Sequence, residues 1–437
     1  MRVPPHEATT AQLGAAYPFA SSRQLPARGV LVGRDLHGGV FVHDPFELYA
    51  AGALTNPNML VLGQIGRGKS ALVKTYLYRQ AAFGRRVVVL DPKGEYGPLA
   101  EALGIAPVAL RPGGGLRLNP LEVVPDAALP RPPGGGPAEG AAEPARGASA
   151  PGGPASGDGA GRRRLELLAA IGAAALGRPL TPVEHVGLEL ALEEVARRCA
   201  PTIPAVVEAL LSPSPAAAAG AGIGAGPLAG ATLDLALELR RLVHGELRGM
   251  FDGPTSPGLD LAADALVLDL SAVYHSPALG VLVTCAASAL QAAVASRGAQ
   301  RTFLVVDEAW AVLSNPAVAR WLQASWKLAR ARGVANLAVV HRVSDLAASG
   351  PAGSETARLA EGLAADSETI VCYAQPPAEL PGVAAALGLS AAETRALGAL
   401  GRGVALWRVA GRSFLVEHRL SPAERVLVDT DARLLGR

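Results

Sequence analysis

Runs of mostly apolar residues, rich in Val and Leu, recur along the chain at 59–62, 86–91, 265–271, 302–306, 334–340 and 369–373. Each is four to seven residues long, as strands buried on both faces read, and helical stretches separate several of them. That alternation predicts an α/β fold built on a mostly parallel sheet. Two shorter alternating pairs flank this pattern. Residues 29–33 and 39–43, joined by Asp35-Leu36-His37-Gly38, read as a hairpin that lines a ligand site or, the plainer reading, covers the sheet edge. Residues 404–409 and 413–417, joined by Ala410-Gly411-Arg412, read as a closing hairpin on a sheet edge. Residues 109–113 and 116–120 read as a strand, a turn and a second short strand.

Between the second and third apolar runs the period changes. Residues 165–210 place Leu165, Leu168 and Ile171, then Val186, Leu190 and Val195, then Ile203, Val206 and Leu210 at helical spacing. Pro179, Pro182, Pro201 and Pro204 mark the helix starts. Residues 212–230 read as a low-complexity loop, and 233–250 as one more amphipathic helix. The predicted organisation is an irregular segment 1–27, a first core part with the hairpin at 28–125, a disordered low-complexity insertion at 126–161, an all-α subdomain at 162–258, and a second core part at 259–437. The insertion is Pro, Gly, Ala and Glu with almost no large apolar residue, too little to offset the entropy of ordering it. The Arg162-Arg163-Arg164 run at its end reads as a solvated helix start.

Half of the 437 residues are apolar but only 4% are aromatic, so Ala, Leu and Val must fill the core. A net charge of +2 argues neither for nor against a nucleic-acid partner. Cys199, Cys285 and Cys372 lie far apart without metal-ligand spacing and read as buried thiols in a reducing compartment. The start of the sequence lacks an apolar signal core. The longest apolar run, 278–295, is long enough to span a bilayer, but Thr284, Ser288 and Gln291 interrupt it, so a helix packed on the sheet is expected. The location expected is cytoplasmic.

The chemistry begins at Gly63-Gln64-Ile65-Gly66-Arg67-Gly68-Lys69-Ser70, which fits G-x-x-x-x-G-K-[ST] between a predicted strand and a helix over 71–82. Glycines let the backbone amides turn inward around phosphates, and the helix N-terminus adds partial positive charge. The loop with Ala71 is therefore the expected ATP-binding element. Lys69 would reach the β- and γ-phosphates, and Ser70 would help hold Mg2+.

The run at 302–306 ends in Asp307-Glu308, the usual complement of such a loop. Asp307 is expected to orient Mg2+ and Glu308 to polarise the attacking water. At the end of the next run, His341 reads equally as a γ-phosphate sensor or as a satisfied buried histidine. Lys327, Arg330 and Arg332 lie on a predicted helix over 320–332, where a solvated face is the plainer reading and a finger into a neighbouring site the sharper one. In the loop Pro92-Lys93-Gly94-Glu95-Tyr96, contact with nucleotide, water or a neighbouring subunit and simple capping weigh evenly.

Taken with Leu90-Asp91-Pro92-Lys93-Gly94-Glu95-Tyr96, Val305-Val306-Asp307-Glu308-Ala309-Trp310 and the Arg330…Gly333…His341-Arg342 segment, the phosphate loop makes the chain resemble the HerA/FtsK superfamily. Within it the resemblance is nearest to the conjugative-transfer and type IV secretion ATPases (VirB/TraC-like), in their short actinobacterial form. It covers the chain from about Gly29 onward, outside the two low-complexity loops. The resemblance implies a RecA-like P-loop core with the sensor strand between the phosphate-loop and Asp-Glu strands, and a hexamer with ATP at subunit interfaces. It also implies that Arg330 acts in trans, with Arg332 as the fallback, and that His341 stands where the family usually has Gln. The long N-terminal domain of full-size secretion ATPases is expected to be missing. The expected partners are further copies of the chain, the transferred DNA or protein, and inner-membrane secretion components at the inner face of the plasma membrane.

Three functions fit: an ATPase motor for DNA or protein transfer, a cytosolic DNA translocase or helicase, and a nucleotide-dependent assembly subunit with little turnover. Glu308 argues against the third, since a pure switch has no need of a water-polarising carboxylate.

Overall fold

The computed structural model describes residue 25, residues 28–122, 158–309 apart from 262, 277 and 297–299, residues 319, 320, 323, 326 and 327, residues 333–341, residue 362 and residues 364–428. The chain opens with the hairpin β1 (Val30–Asp35) and β2 (Gly39–His43), followed by the short helix α1 (Pro45–Ala50). Strand β3 (Met59–Leu62), helix α2 (Lys69–Ala82) and strand β4 (Arg86–Asp91) come next, then α3 (Gly97–Ala102) and the short β5 (Val108–Ala109). Helices α4 (Asp158–Leu176), α5 (Pro182–Arg198), α6 (Ile203–Leu211), α7 (Pro215–Gly220), α8 (Ala225–Ala231) and α9 (Leu233–Arg241) then stand between β5 and β6 (Ala265–Asp269). The rest comprises α10 (Leu279–Ser296), β7 (Thr302–Val306), β8 (Val334–Val340), β9 (Thr369–Tyr373), α11 (Leu380–Leu387), α12 (Ala391–Ala399), β10 (Val404–Val409), β11 (Arg412–His418) and α13 (Arg425–Val428).

All these strands join one sheet, in the order β2-β1-β11-β10-β9-β3-β8-β7-β4-β6-β5. The stretch from β9 to β5 is parallel. The pairs β9·β10, β10·β11, β11·β1 and β1·β2 are antiparallel. Strand β8 lies between β3 and β7, so the expected sensor-strand order is borne out, as is the α/β P-loop class.

Alternation along the strands divides the core into two layers. Met59, Val61, Val87, Val89, Phe303 and Val305 face Leu72, Val73, Tyr76 and Leu77 of α2. Leu60, Leu62, Val88, Leu90, Leu304 and Val306 face the layer holding α10 and the inserted helices. Strands β4, β7, β8 and β9 are buried along their whole length, which is why they read as continuous apolar runs rather than alternating ones. Each large aliphatic side chain so buried contributes about 1.5–3 kcal/mol.

Several expectations are corrected. Cys285 and Cys372 are buried as expected, but Cys199, the C-cap of α5, is exposed. The loop expected at 212–230 contains α7 and α8: Ser214 caps α7 by accepting from Ala217 N–H, and Ala217, Ala218 and Leu228 are buried. Alanine is the strongest helix former, so small-residue composition alone does not make a loop. Residues 116–120 are not a strand; Leu118 N–H donates to Met250 O and Asn119 N–H to Thr255 Oγ1, away from any ladder. The helix expected over 233–250 ends at Arg241 and passes into a π-turn, Leu242–Glu246. Residues 158–161 belong to α4 rather than to the insertion, and α2 begins at Lys69 rather than at residue 71. The β10–β11 hairpin is not at the edge: β1 and β2 extend the sheet beyond it. The other residues of the expected insertion, 126–157, lie outside the described residues. Among the described residues no helix is long and apolar enough to cross a membrane.

Candidate active site

The parallel register brings the ends of β3, β4, β7 and β8 to one edge of the sheet, where open α/β folds bind ligands. From β3 the chain turns through Gly63 at φ 148°, where a Cβ would lie 2.4 Å from Tyr373 Cβ. Gln64 N–H donates to Ala374 O at 3.3 Å. Ile65 and Gly66 are exposed, and Arg67 donates from Nη2 to Gln64 Oε1 at 3.4 Å. Gly68, at φ 117°, is the N-cap of α2 and packs against Gly403 and Tyr373. Lys69, Ser70 and Ala71 form the first turn of the helix. Lys69 Nζ, buried, donates to Gly63 O and, at 3.0 Å, to Gln64 O, so the lysine lies across the mouth of its own loop.

The loop is held from behind by the far end of the sequence. Gly403 N–H donates to Arg67 O at 2.9 Å. His418 Nε2 lies 2.9 Å from Thr75 Oγ1 on α2. Arg79, also on α2, pairs with Glu424. Beneath the helix, His43 meets Tyr76 and Thr369 through its two ring nitrogens. Burial alone lowers the His43 pKa to about 3. Burial, aided by the nearby Arg79, lowers that of His418 to about 4.

Asp307 and Glu308 follow β7, buried at 6% and 2% exposure. Glu308 takes a left-handed φ of 53°, and its N–H donates to Asp307 Oδ1 at 2.9 Å. A non-glycine residue so placed stores about 1–3 kcal/mol of strain, which the surrounding structure must hold. Burial raises the Asp307 pKa to about 6, the neighbouring Glu308 charge adding to it. His341, just beyond β8, approaches Glu308 Oε1 through Nε2 at 2.7 Å. A carboxylate acceptor there requires the proton on Nε2. The other ring nitrogen, Nδ1, is buried and has no hydrogen-bond partner among the described residues.

Beyond β4, Asp91 accepts from Gly94 and Tyr96 N–H at 2.8 Å and from Glu95 N–H at 3.1 Å, which folds the loop tightly onto the strand end. The loop carries Lys93, whose ammonium pairs with Glu308 Oε1 and lies 3.2 Å from His341 Nε2. Burial works against the Lys93 charge, but the Glu308 carboxylate outweighs it and leaves the ammonium above the ordinary lysine range.

A cavity of about 440 Å³ opens among Gln64, Ile65, Gly66, Arg67, His341 and Arg402, of a size that takes a nucleotide. Phosphate-cradling amides, a lysine, a hydroxyl and buried carboxylates are the donor set that Mg2+ and a triphosphate require. The unpartnered His341 Nδ1 and the raised Asp307 fit a site that gains a ligand.

The structure thus gathers Gly63 to Ala71, Asp307, Glu308 and His341 at one sheet edge. Arg330, and Arg332 with it, lies outside the described residues. The sequence leaves Lys93, with the rest of its loop, open between contact and capping, and gives Arg402 no role. Lys93 was signalled by its place in a strand-end loop, and Arg402 by two flanking glycines ahead of a strand.

Comparison with known proteins agrees with this geometry. Residues 50–111 match the AAA-like domain family. The sequence matches none of the curated proteins. The structure of VirB4 of Thermoanaerobacter pseudethanolicus superposes with a TM-score of 0.70 at 22% identity, covering 92% of this chain and 99% of that one. The plasmid coupling protein TrwB in complex with ADP and Mg2+ superposes with a TM-score of 0.56 at 13% identity, covering 95% and 94%. TrwB with a non-hydrolysable ATP analogue gives a TM-score of 0.55 at 14% identity. The chain therefore shares the P-loop NTPase fold of VirB4 and TrwB, and the match over residues 50–111 to the AAA-like domain family agrees with the resemblance its motifs carry.

Proposed function

We propose that this chain is an ATP-hydrolysing motor that powers transfer of DNA or protein in a conjugation or type IV secretion-like system. The observation that carries the reading is that Asp307 and Glu308 are placed across the same cavity-bearing sheet edge as the Gly63–Ser70 loop. The fold shared with VirB4 and with nucleotide-bound TrwB supports the transfer role.

In this reading the amides of residues 63–71 cradle the phosphates, and Lys69 exchanges its two backbone carbonyls for phosphate oxygens. Ser70 and Asp307 are the residues that would hold Mg2+, which when bound offsets charge on the β- and γ-phosphates. Glu308 accepts a hydrogen bond from the attacking water and aligns it with the γ-phosphorus. His341 stands beside it and senses the γ-phosphate. Arg330 completes the site of a neighbouring copy in a hexamer.

The test is ATPase rate against protein concentration for wild type, Lys69→Ala and Arg330→Ala, with and without single- and double-stranded DNA. The expected result is hydrolysis abolished in Lys69→Ala, and a rate per subunit that rises with concentration and collapses in Arg330→Ala. DNA stimulation marks DNA as the cargo. A rate independent of concentration and of Arg330 removes the shared-site motor, and no Lys69-dependent hydrolysis removes the enzyme.

A further inference from the structure

We propose that Lys93 is the positioning residue for Glu308, holding its carboxylate by Oε1 in the orientation that aligns the attacking water. The inference rests on the reading of Glu308 as the water-polarising group.

Four observations carry it. The ammonium of Lys93 is paired with Glu308 Oε1, the oxygen that His341 Nε2 also approaches, so two nitrogens fix one end of the carboxylate. The Lys93 backbone cannot drift, because Asp91 binds the next three amides of the loop. Glu308 itself sits in a left-handed backbone conformation that a non-glycine residue does not favour, so the surrounding structure must hold it there, and the Lys93 pair is one of the contacts that do. A carboxylate at 2% exposure beside a second buried acid also needs a paired charge, and Lys93 is in ion-pair contact with it.

Contact with a phosphate is the competing role for a lysine here. Its ammonium is already committed to Glu308 and lies 5.9 Å from the centre of the Tyr274 ring, on the β4 and β6 side. The cavity beside the phosphate loop is lined instead by Arg67, His341 and Arg402. Lys93 therefore acts through Glu308, and its removal should cost turnover rather than binding.

The experiment compares wild type, Lys93→Ala, Lys93→Met and Lys93→Arg in the full chain. It reads kcat and KM for ATP, the affinity for a fluorescent non-hydrolysable ATP analogue with Mg2+, and the melting temperature. Lys93→Met keeps the stem and removes the charge, so it stands in if Lys93→Ala folds poorly. The expected result is a kcat lowered about 100-fold, the scale for a misplaced catalytic group. KM and analogue affinity should stay within about twofold, and Lys93→Arg should recover most of the rate. A raised KM with unchanged kcat would overturn the proposal in favour of a phosphate contact. A faster kcat would make Lys93 a restraint on hydrolysis, and an unchanged one would make the ion pair idle; both sink the idea. If wild-type hydrolysis survives these tests, only the role of Lys93 falls. If wild type shows no Lys69-dependent hydrolysis, the reading of the whole site falls with it.

Discussion

The phosphate loop and the acid cluster lie at the same edge of the sheet, yet they are built in opposite ways. The loop is eight consecutive residues, shaped by glycines and by backbone hydrogen bonds, with neutral histidines in its support. The cluster is assembled from the ends of three strands far apart in sequence, and it holds buried charge: Asp91, Asp307 and Glu308 against Lys93. The difference shows in their response to pH. His43 and His418 have pKa values depressed to about 3 and 4, so the stability they contribute is complete above their unfolded value of 6.5 and is lost as pH falls. Asp307 has a pKa raised to about 6, so its contribution is complete below its unfolded value of 3.8 and is lost as pH rises through 6. One half is weakened by acid and the other relieved by it.

The comparison breaks most sharply at Lys69. Lys69→Ala should lower ATP turnover by about 1000-fold or more, the order expected when preorganised charge at a transferring phosphoryl is removed. Steady-state phosphate release measures it. Glu308→Gln should cost about 100- to 1000-fold in kcat while leaving nucleotide affinity within a few-fold, the mark of a group that acts on water. Isothermal titration beside turnover assays separates the two. Gly63→Ala tests the packing of the loop. Its Cβ would lie 2.4 Å from Tyr373 Cβ at a φ that side chains rarely adopt, and a loss of about 2–4 kcal/mol in chemical denaturation is expected.

The pH contrast is sharpened by two variants measured from pH 7 to pH 4. His43→Gln should flatten the acid-side fall in stability, whose slope for one such group does not exceed about 1.4 kcal/mol per pH unit. Asp307→Asn should remove the loss of stability between pH 4 and 6 in Mg2+-free protein; equal pH curves for both variants and wild type would dissolve the distinction. The smallest effect lies outside both halves. Thr181→Ala breaks the capping box of α5 and should cost about 1 kcal/mol with no change in turnover per folded chain.

How far the sequence revealed each half follows from the same contrast. The Gly63–Ser70 loop is contiguous, so its spacing exposes it, and the four strands that carry the site are buried on both faces and read as mostly apolar runs, broken inside only at Asn336. The pairing of Lys93 with Glu308 spans strands that only the register brings together, and no local spacing encodes it. The same holds for the β10–β11 hairpin, whose neighbours β9 and β1 are chosen by tertiary packing. The helices at 215–231 were hidden for another reason: alanine and glycine carry little amphipathic signal, though Ser214 before Pro215 offered a capping cue.

The clamp behind the phosphate loop sets an order in time. Tyr373, Gly403 and His418 hold the loop and its helix, and His418 is 343 residues further along the chain than the Thr75 it meets. A ribosome adds residues at about 5–20 per second, so the loop leaves it tens of seconds before its supports exist. During that interval the glycines have nothing to pack against, and the nascent chain carries the phosphate-loop sequence without its folded support. The proposed ATP site is therefore complete only once residue 418 has been made.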